Sequence, residues 1–339
     1  NFVTENSRQI TPQLVSGGNL TIASFNVLNY FNGDGTGNGF PTLRGADSLS
    51  EFERQKAKII TAMLGINADI FGLMEIENDG FSARSAIADL VNGLNQAAGA
   101  IRYAYIHATN NQIGEDDITV GLIYRMDKVS AVGNAKVLSA ANSPLDDAGL
   151  ALFNDDKNRP MLSQVFRLQT NGETLAVAVN HLKSKGSSCA SLGDPDLHDG
   201  QGNCNLTRQR AAQAIAIWLT EQYPQTGVLI IGDLNAYAQE HPLTTLQLAG
   251  YVDLFKYLNK TLNYSYVYSG ELGQLDHALV NEYLLAKVVD VSEWHINSDE
   301  PRVFDYNEED KSATQLQDLY HADAYRSSDH DPILVSLLL

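Results

Sequence analysis

Short runs of consecutive apolar residues recur along this chain, at lengths that suit a β-strand better than a helix. The run at residues 228–231 is purely aliphatic, which is typical of a strand that is covered on both faces. Amphipathic segments lie between the runs, so the pattern predicts an α/β protein in which helices cover sheets. The predicted strands include residues 22–25, 69–74, 119–124, 161–168, 176–179, 228–231, 278–280 and 332–337, and the predicted helices span residues 51–64, 83–98 and 206–221, the last with Thr207 or Asn205 as its N-cap.

Many of the apolar runs adjoin polar residues of the types that catalytic and metal sites use. Because strand ends meet at a rim of a sheet, their side chains can converge there. A structurally satisfied polar group explains one or two such positions but not the whole set, which has the residue types that metal-assisted hydrolysis of a phosphoester needs. The set consists of Asn26, Glu75, Asn180 with His181, Asp233 with Asn235, Asp276 with His277, and Asp329 with His330.

Four segments, residues 25–31, 73–78, 180–186 and 199–204, carry a resemblance to a known family. They resemble the endonuclease/exonuclease/phosphatase superfamily and, within it, bacterial secreted nucleases of the extracellular deoxyribonuclease type. The resemblance runs from about residue 19 to residue 339 and leaves residues 1–18 as a predicted N-terminal linker or packed tail. Together with the alternating pattern it implies a four-layer α/β sandwich, in which two mixed β-sheets pack face to face with helices outside.

The resemblance implies a divalent cation with Glu75 as its main ligand. A hard carboxylate suits Mg²⁺ or Mn²⁺, and octahedral Mg²⁺ typically takes one or two carboxylates and keeps waters that a substrate can displace. Asp329 is expected to join the same ligand shell, and Asn26 is expected to contact the cation or a substrate phosphate. The alternative for Asn26 is a structural amide that ties down a strand end. Ca²⁺ is a further candidate cofactor.

Two carboxylates, an amide and a histidine resemble the family's water-activating and phosphate-binding groups. Asp233 resembles the residue that orients or deprotonates the attacking water, and Asn235 the one that holds the nucleophile or the phosphate. His330 resembles the histidine that contacts the scissile phosphate or acts as a base, and Asp276 would accept its other ring N–H and raise its basicity. His277 would point to the opposite face of its strand and is interpreted as structural.

His181 resembles the histidine that pancreatic-type deoxyribonucleases use as the general acid for the 3′ leaving oxygen, and AP endonucleases lack it. This resemblance predicts products with 5′-phosphates. The carboxylate partner of His181 is predicted to be Asp116, with Asp117 as the second choice. Arg159 resembles an arginine that clamps phosphate, and an exposed loop arginine is an equal alternative.

The formal net charge of −18 argues against a protein that binds nucleic acid tightly, because such proteins usually present a basic surface. Bound divalent cations can screen clustered carboxylates, so the charge does not exclude a nuclease. The acidic segments 194–199 and 308–310 lack the EF-hand spacing and are interpreted as solvated loops. The Gly-rich segment 32–40 is interpreted as a surface loop near the mouth of the site.

The two cysteines, Cys189 and Cys204, bracket a loop rich in Gly and Asp. That context and the resemblance predict a disulfide between them rather than two free thiols. No apolar stretch approaches the about 20 residues that a membrane helix requires, and the chain begins without Met or an apolar leader. We therefore expect a mature or trimmed product that does not insert into membranes. The resemblance implies a secreted bacterial protein, and we expect it to be a monomer.

Three classes of protein remain as hypotheses. The first is a secreted, metal-dependent DNA endonuclease without sequence preference, with RNA as a second candidate substrate, that degrades extracellular DNA and scavenges nutrients. The second is a phosphatase or sphingomyelinase-type phospholipase of the same fold. The sequence shows neither an aromatic-tipped apolar hairpin for a membrane nor a basic pocket for a polyphosphorylated headgroup, which argues against the second class. The third is a non-catalytic binding module, which the presence of all the main motifs argues against.

Overall fold

The computed structural model describes residues 8–108 and 111–339. In chain order, the strands of this part of the chain are β1 (Leu20–Tyr30), β2 (Ile70–Glu77), β3 (Tyr103–Tyr105), β4 (Ile118–Arg125), β5 (Val129–Leu138), β6 (Arg159–Leu168), β7 (Thr174–His181), β8 (Val228–Asp233), β9 (Val252–Asp253), β10 (Tyr266–Tyr268), β11 (Glu271–Gly273), β12 (Asp276–Val280), β13 (Val288–Glu293) and β14 (Ile333–Leu337). The α-helices are α1 (Leu49–Ile66), α2 (Ala86–Ala97), α3 (Asn205–Gln222), α4 (His241–Leu248), α5 (Leu254–Tyr257), α6 (Glu282–Leu285) and α7 (Ala313–Asp318).

Two six-stranded sheets form the centre of the fold. Their strand orders are β13-β14-β1-β2-β4-β3 and β5-β6-β7-β8-β12-β9, and β10 pairs with β11 as a separate hairpin. The pairs β1–β2 and β7–β8 are parallel, whereas their neighbours in each sheet pair antiparallel, for example β1–β14 and β8–β12. Both sheets are therefore mixed, as predicted.

The alternation of side chains along β8 shows how the layers are held together. Leu229 and Ile231 belong to the apolar core between the two sheets, while Val228 and Ile230 belong to the core beneath α3 and α4. A third core lies between the first sheet and helices α1 and α2. Because β8 is covered on both faces, its sequence is continuously aliphatic. The predicted four-layer α/β sandwich is confirmed.

Serine caps fix where the first two helices begin. The Oγ of Ser48 accepts a hydrogen bond from the backbone N–H of Glu51. At the other end α1 is capped by Asn67, which adopts a left-handed conformation with φ 51°. The Oγ of Ser85 accepts from the N–H of Ala88, so α2 begins at Ala86, three residues later than predicted.

The N-terminus of α3 is capped from a distance rather than locally. Cys204 occupies the cap position in a left-handed conformation and its side chain makes no capping bond. Instead, the Asp194 carboxylate accepts from the backbone N–H groups of Leu206 and Thr207 at 3.1 and 2.7 Å. The N-cap lies next to Asn205, as predicted, but it is Cys204, and neither Asn205 nor Thr207 is the cap itself. Asp194 is also buried, so the acidic segment 194–199 is not simply a solvated loop.

The N-terminal segment contacts the first sheet without forming a helix or strand over residues 8–18. The indole N–H of Trp294 donates to the carbonyl of Gln9, and the backbone N–H of Val15 donates to Asp290. Residues 1–7 of the predicted tail lie outside the described residues. None of the described helices combines the length and apolar character needed to cross a membrane.

Candidate active site

An open cleft of about 480 Å³ lies where ends of the central strands of both sheets meet. Strand pairing explains why polar side chains converge there. In the parallel pair β7–β8, His181 lies beside Asp233, and in the antiparallel pair β8–β12, Asp233 lies opposite Asp276. Arg159, at the start of β6, lies opposite His181. The predicted residues that line the cleft are Glu75, Arg159, His181, Asp233, Asn235, Asp329 and His330.

Glu75 reaches the cleft from a bulge in β2. Its φ of 63° is unusual for a residue other than glycine, and the pairing register of β2 with β4 shifts at this point. One carboxylate oxygen accepts from Nδ2 of Asn26 and the other from the backbone N–H of Asn29, both at 3.1 Å. These bonds fix the carboxylate and stabilise the left-handed backbone conformation of Glu75, which is otherwise unfavourable.

Asn26 is buried beneath Glu75 and is not part of the cleft lining. Its Oδ1 accepts from the backbone N–H of Leu28 at 3.0 Å, and its Nδ2 donates to Glu75. Both ends of the amide are therefore used within the protein. This geometry fits the alternative, a structural amide that positions Glu75, and the contact with a phosphate or a cation stays a prediction.

The carboxylates of Glu75 and Asp329 suit a hard divalent cation. Burial and the negative charge of Asp329 raise the pKa of Glu75 above its usual range, so a cation placed between them would relieve both effects. Residues 8–108 and 111–339 contain no group of three or more His, Cys, Asp or Glu side chains arranged to hold an ion. Two carboxylates with remaining positions for water and substrate are what Mg²⁺ commonly takes.

Replacing Glu75 with Gln should weaken cation binding without unfolding the protein. Glu75→Gln keeps the shape of the side chain but removes its charge. We expect the Mg²⁺ concentration for half-maximal hydrolysis of a phosphoester substrate to rise about tenfold or more. A Mg²⁺ titration of the cleavage rate measures this. Glu53→Gln, on the exposed face of α1, is the matched control. An unchanged Mg²⁺ requirement in Glu75→Gln would remove Glu75 from the ligand shell.

His330 and Asp276 form the predicted hydrogen bond, with Nδ1 of His330 2.7 Å from Oδ2 of Asp276. Burial by itself would lower the pKa of His330, but the carboxylates of Asp276 and Asp233 outweigh burial and raise it well above its usual value. Nε2 of His330 faces Asp233 at 3.9 Å. These carboxylates therefore favour the cationic imidazole, which is suited to bind a phosphate oxygen.

Asp233 and Asn235 lie side by side at the end of β8. Burial raises the pKa of Asp233 to about 7, which suits a general base at neutral pH. The chain leaves strand geometry after Asp233, since Asn235 has φ 47° and its backbone N–H donates to Oδ1 of Asp233. Nδ2 of Asn235 donates to the carbonyl of Leu182. The turn, rather than a continued strand, brings both side chains to the cleft.

His181 lies between the two carboxylates that flank it, with Nε2 3.6 Å from Asp233 and 4.0 Å from Glu75. Burial and the positive charge of Arg159 lower the pKa of His181 well below its usual value. An anionic phosphate in the cleft would raise that pKa again. Bound substrate would thus favour the protonated form of His181, which is the form that a general acid needs.

Asp116 is not the partner of His181, which corrects the prediction. Its carboxylate pairs with Nε of Arg159 at 3.1 Å and with Nη2 of Arg44 at 3.2 Å, and Asp117 lies 3.6 Å from Arg44. Two guanidinium cations attract this carboxylate more strongly than a neutral imidazole does. Nδ1 of His181 is buried and makes no hydrogen bond within the described residues.

Arg159 is not an exposed loop arginine, because only 10% of its side chain is accessible and it begins β6. Its Nη1 is buried and has no hydrogen-bond partner in the described part of the chain. A guanidinium held by one carboxylate beside His181 is well placed to bind a phosphate oxygen.

Several residues that line the cleft carry no role in the sequence-based prediction: Arg44, Lys185, Tyr237, Tyr266 and Tyr268. The alternation of tyrosines at residues 264–268 is a signal that could have indicated one aromatic face of a strand. Arg44 gives no such signal, because it comes from a loop. The Gly-rich segment 32–40 is largely exposed as predicted, and the cleft is lined by Asn29 and Arg44 on either side of it.

His277 is fully buried, and its Nε2 lies 2.8 Å from the carbonyl oxygen of Ala236. It does not line the cleft. This agrees with its interpretation as a structural residue.

Residues 23–330 match the family model described as the Endonuclease/Exonuclease/phosphatase family. The chain belongs to this family. No curated protein matches the chain in a sequence search.

Solved structures of endonuclease/exonuclease/phosphatase proteins share the fold at low sequence identity. The endonuclease/exonuclease/phosphatase from Bacteroides vulgatus is 16% identical with a TM-score of 0.57, over 94% of this chain and 98% of that one. A mannosyl-6-phosphatase from Bacteroides thetaiotaomicron is 17% identical with a TM-score of 0.54, over 94% and 100%. TDP2 from D. rerio, complexed with single strand DNA product, is 14% identical with a TM-score of 0.52, over 94% and 99%. These similarities show the fold and leave the substrate open.

The predicted disulfide is present in this family member and braces one wall of the cleft. Cys189 and Cys204 are bonded, with their Cα atoms 5.1 Å apart. The buried guanidinium of Arg208 donates to the carbonyls of Lys183, Gln201 and Asn203. Arg208 therefore ties the disulfide loop to the segment that carries the cleft-lining Lys185.

Removing the disulfide should destabilise the protein. The bond closes a loop with a sequence separation of 15, for which the chain-entropy model gives about 3 kcal/mol. We expect the double variant Cys189→Ser/Cys204→Ser to lose free energy of unfolding of that order, measured by urea denaturation without reductant. Wild type in reductant should move toward the same midpoint. An unchanged midpoint in the double variant would show that the loop is held by Arg208 and Asp194 alone.

Proposed function

We propose that this protein is a secreted, divalent-metal-dependent nuclease that hydrolyses phosphodiester bonds of DNA. We further propose that it is an endonuclease without sequence preference that leaves 5′-phosphates and degrades extracellular DNA. The observation that carries the proposal is the placement of His181 between Asp233 and Glu75 in one cleft. This arrangement supports the proposed roles of Asp233 as base, His181 as acid and Glu75 as cation ligand on one phosphate.

Each side chain has a part in the proposed hydrolysis. Asp233 removes a proton from the attacking water, and Asn235 orients that water. His330, whose cationic form the Asp276 carboxylate favours, holds a non-bridging phosphate oxygen. His181 gives a proton to the leaving 3′ oxygen. The divalent cation, held by Glu75 and Asp329, would neutralise charge on the phosphoryl oxygens as the transition state forms.

The net charge of −18 argues against nucleic-acid binding, but the cleft itself contains positive side chains. Arg44, Arg159 and Lys185 line the cleft, and each is paired with a carboxylate, Asp116 for the arginines and Glu240 for the lysine. A phosphate backbone can replace these carboxylates as the partner. The protein therefore concentrates cationic groups at the site while its overall charge prevents tight, unproductive binding elsewhere.

Two further observations bear on substrate and location. The D. rerio TDP2 structure contains single strand DNA product, which supports a nucleic-acid substrate on this fold. The disulfide suits an oxidising compartment and supports secretion. The mannosyl-6-phosphatase of the same fold keeps a phosphatase as the second candidate function.

The structure corrects one argument against a phospholipase. The sequence suggested no aromatic hairpin, but the hairpin β10–β11 exposes Tyr268 and Leu272, and Tyr268 lines the cleft. The hairpin turn consists of Ser269 and Gly270, followed by Glu271. This polar, anionic turn does not suit insertion into an anionic membrane surface.

Cleavage of supercoiled plasmid in Mg²⁺, with an EDTA control and end-group analysis of the products, tests the proposal. Metal-dependent nicking that leaves 5′-phosphates is expected. Nicking that leaves 3′-phosphates would contradict the role of His181. If folded protein fails to nick DNA in Mg²⁺, Mn²⁺ or Ca²⁺ but hydrolyses a sugar phosphate or sphingomyelin vesicles, the protein is a phosphatase or phospholipase instead.

A further inference from the structure

Three tyrosines form one wall of the cleft, and the proposed hydrolysis uses none of them. Tyr237 follows the turn after β8, while Tyr266 and Tyr268 lie on β10. Residues two apart on a strand point to the same face, so Tyr266 and Tyr268 face the cleft together and Val267 points to the other side. We call Tyr237, Tyr266 and Tyr268 the tyrosine wall.

The tyrosine wall begins at the catalytic centre and ends in solvent. The ring of Tyr266 lies 4.6 Å from the imidazole of His330, measured between centroids. Tyr268 is 66% exposed at the mouth of the cleft. Packing of the core does not explain the exposed ring of Tyr268 in the cleft lining, and this ring provides a free face for a ligand.

The inner part of the wall is fixed by its neighbours. A Cβ on Gly273 would lie 2.3 Å from Cε1 of Tyr237, so only glycine lets β11 approach this ring. On Tyr237 the ammonium of Lys185 lies 3.9 Å from the ring centroid. The hairpin, Tyr237 and a cleft-lining cation are therefore held together as one unit.

We propose that the tyrosine wall is a nucleobase subsite. Tyr268, backed by Tyr266, stacks on the base next to the scissile phosphate, and Lys185 contacts the phosphate that joins this nucleotide to the next. This inference rests on the proposed nuclease function and adds a substrate form to it. Stacking on an aromatic side chain tolerates every base but needs an accessible base face, which a duplex does not offer. The wall therefore favours single-stranded or unpaired DNA over duplex DNA.

Short labelled thymidylate strands test the subsite when one nucleotide at a time is replaced by an abasic analogue. With wild type, removing the base that stacks should lower kcat/KM at the neighbouring bond about tenfold. Tyr268→Ala should have a kcat/KM on the intact strand that is lower by the same factor, and the abasic replacement should then cause no further decrease. Tyr268→Phe should behave as wild type. Tyr257→Ala, which removes another half-exposed tyrosine outside the cleft, is the matched control.

The outcomes separate this inference from the function on which it rests. If wild type cleaves intact and abasic strands equally, or if Tyr268→Ala loses rate equally on both, the subsite is refuted and the nuclease function stands. If wild type cleaves none of the strands in Mg²⁺ or Mn²⁺, the nuclease function fails and the subsite with it. Binding of sphingomyelin vesicles that is lost in Tyr268→Ala would show that the wall contacts lipid instead. Binding of a labelled thymidylate strand to Asp233→Asn, compared with and without Tyr268→Ala, gives a second measurement that does not require turnover, and a weaker affinity in the double variant is expected.

Discussion

Asp233→Asn should lower kcat/KM for DNA by about 10²–10⁴-fold while the protein stays folded. The substitution keeps the shape of the side chain and its hydrogen bond from Asn235 but removes the only function that an amide cannot supply, proton removal from water. The buried carboxylate lies 3.6 Å from His181 and 3.9 Å from His330, so it faces both other reacting groups. Initial rates of plasmid nicking, compared with the thermal unfolding of the same sample, measure the effect.

The pH dependence of kcat/KM provides a second test of Asp233 as the base. Because burial raises the pKa of Asp233 to about 7, the base is protonated below that pH, and kcat/KM of wild type should fall as the pH decreases from 7. The residual activity of Asp233→Asn should lack this dependence. Asp156→Asn, an exposed carboxylate outside the cleft, should keep the wild-type rate and pH profile. Activity of Asp233→Asn within a few-fold of wild type would rule Asp233 out as the base.

The sequence predicts the strands and most of the site because both depend on local patterns. Continuous aliphatic runs such as β8 favour strands that are covered on both faces, and the ends of such strands lie at a rim of the sheet. The runs place His181, Asp233 and Asp276 at strand ends, whereas their roles are what the family resemblance implies. The pairing that sets these residues side by side is a property of the fold. The resemblance, rather than the local pattern, predicts the bond between Asp276 and His330, and the structure contains it.

The features that the sequence does not predict depend on contacts between distant segments. Asp116 pairs with Arg44 and Arg159 because two loops and a strand end meet there, and no spacing in the sequence reports that meeting. Asp194 caps α3 only because the disulfide loop folds back on the helix. In each case a carboxylate binds the donors that the tertiary fold brings close to it, and the sequence does not show which donors these are.

His181→Ala should separate leaving groups that need a proton from those that do not. On DNA the 3′ oxygen leaves as a strongly basic alkoxide, so loss of the general acid should lower kcat by about 10²–10⁴-fold. On bis-p-nitrophenyl phosphate the leaving phenolate is weakly basic, so the same variant should lose only a small part of that factor. Parallel rate measurements on the two substrates give the comparison, and His241→Ala, outside the cleft, is the control that should change neither. If His181→Ala lowers kcat by the same factor on both substrates, His181 binds the phosphate rather than protonating the leaving oxygen. Burial and the charge of Arg159 lower the pKa of His181 in the free protein, and a bound phosphate anion would favour the protonated imidazole that the acid role requires.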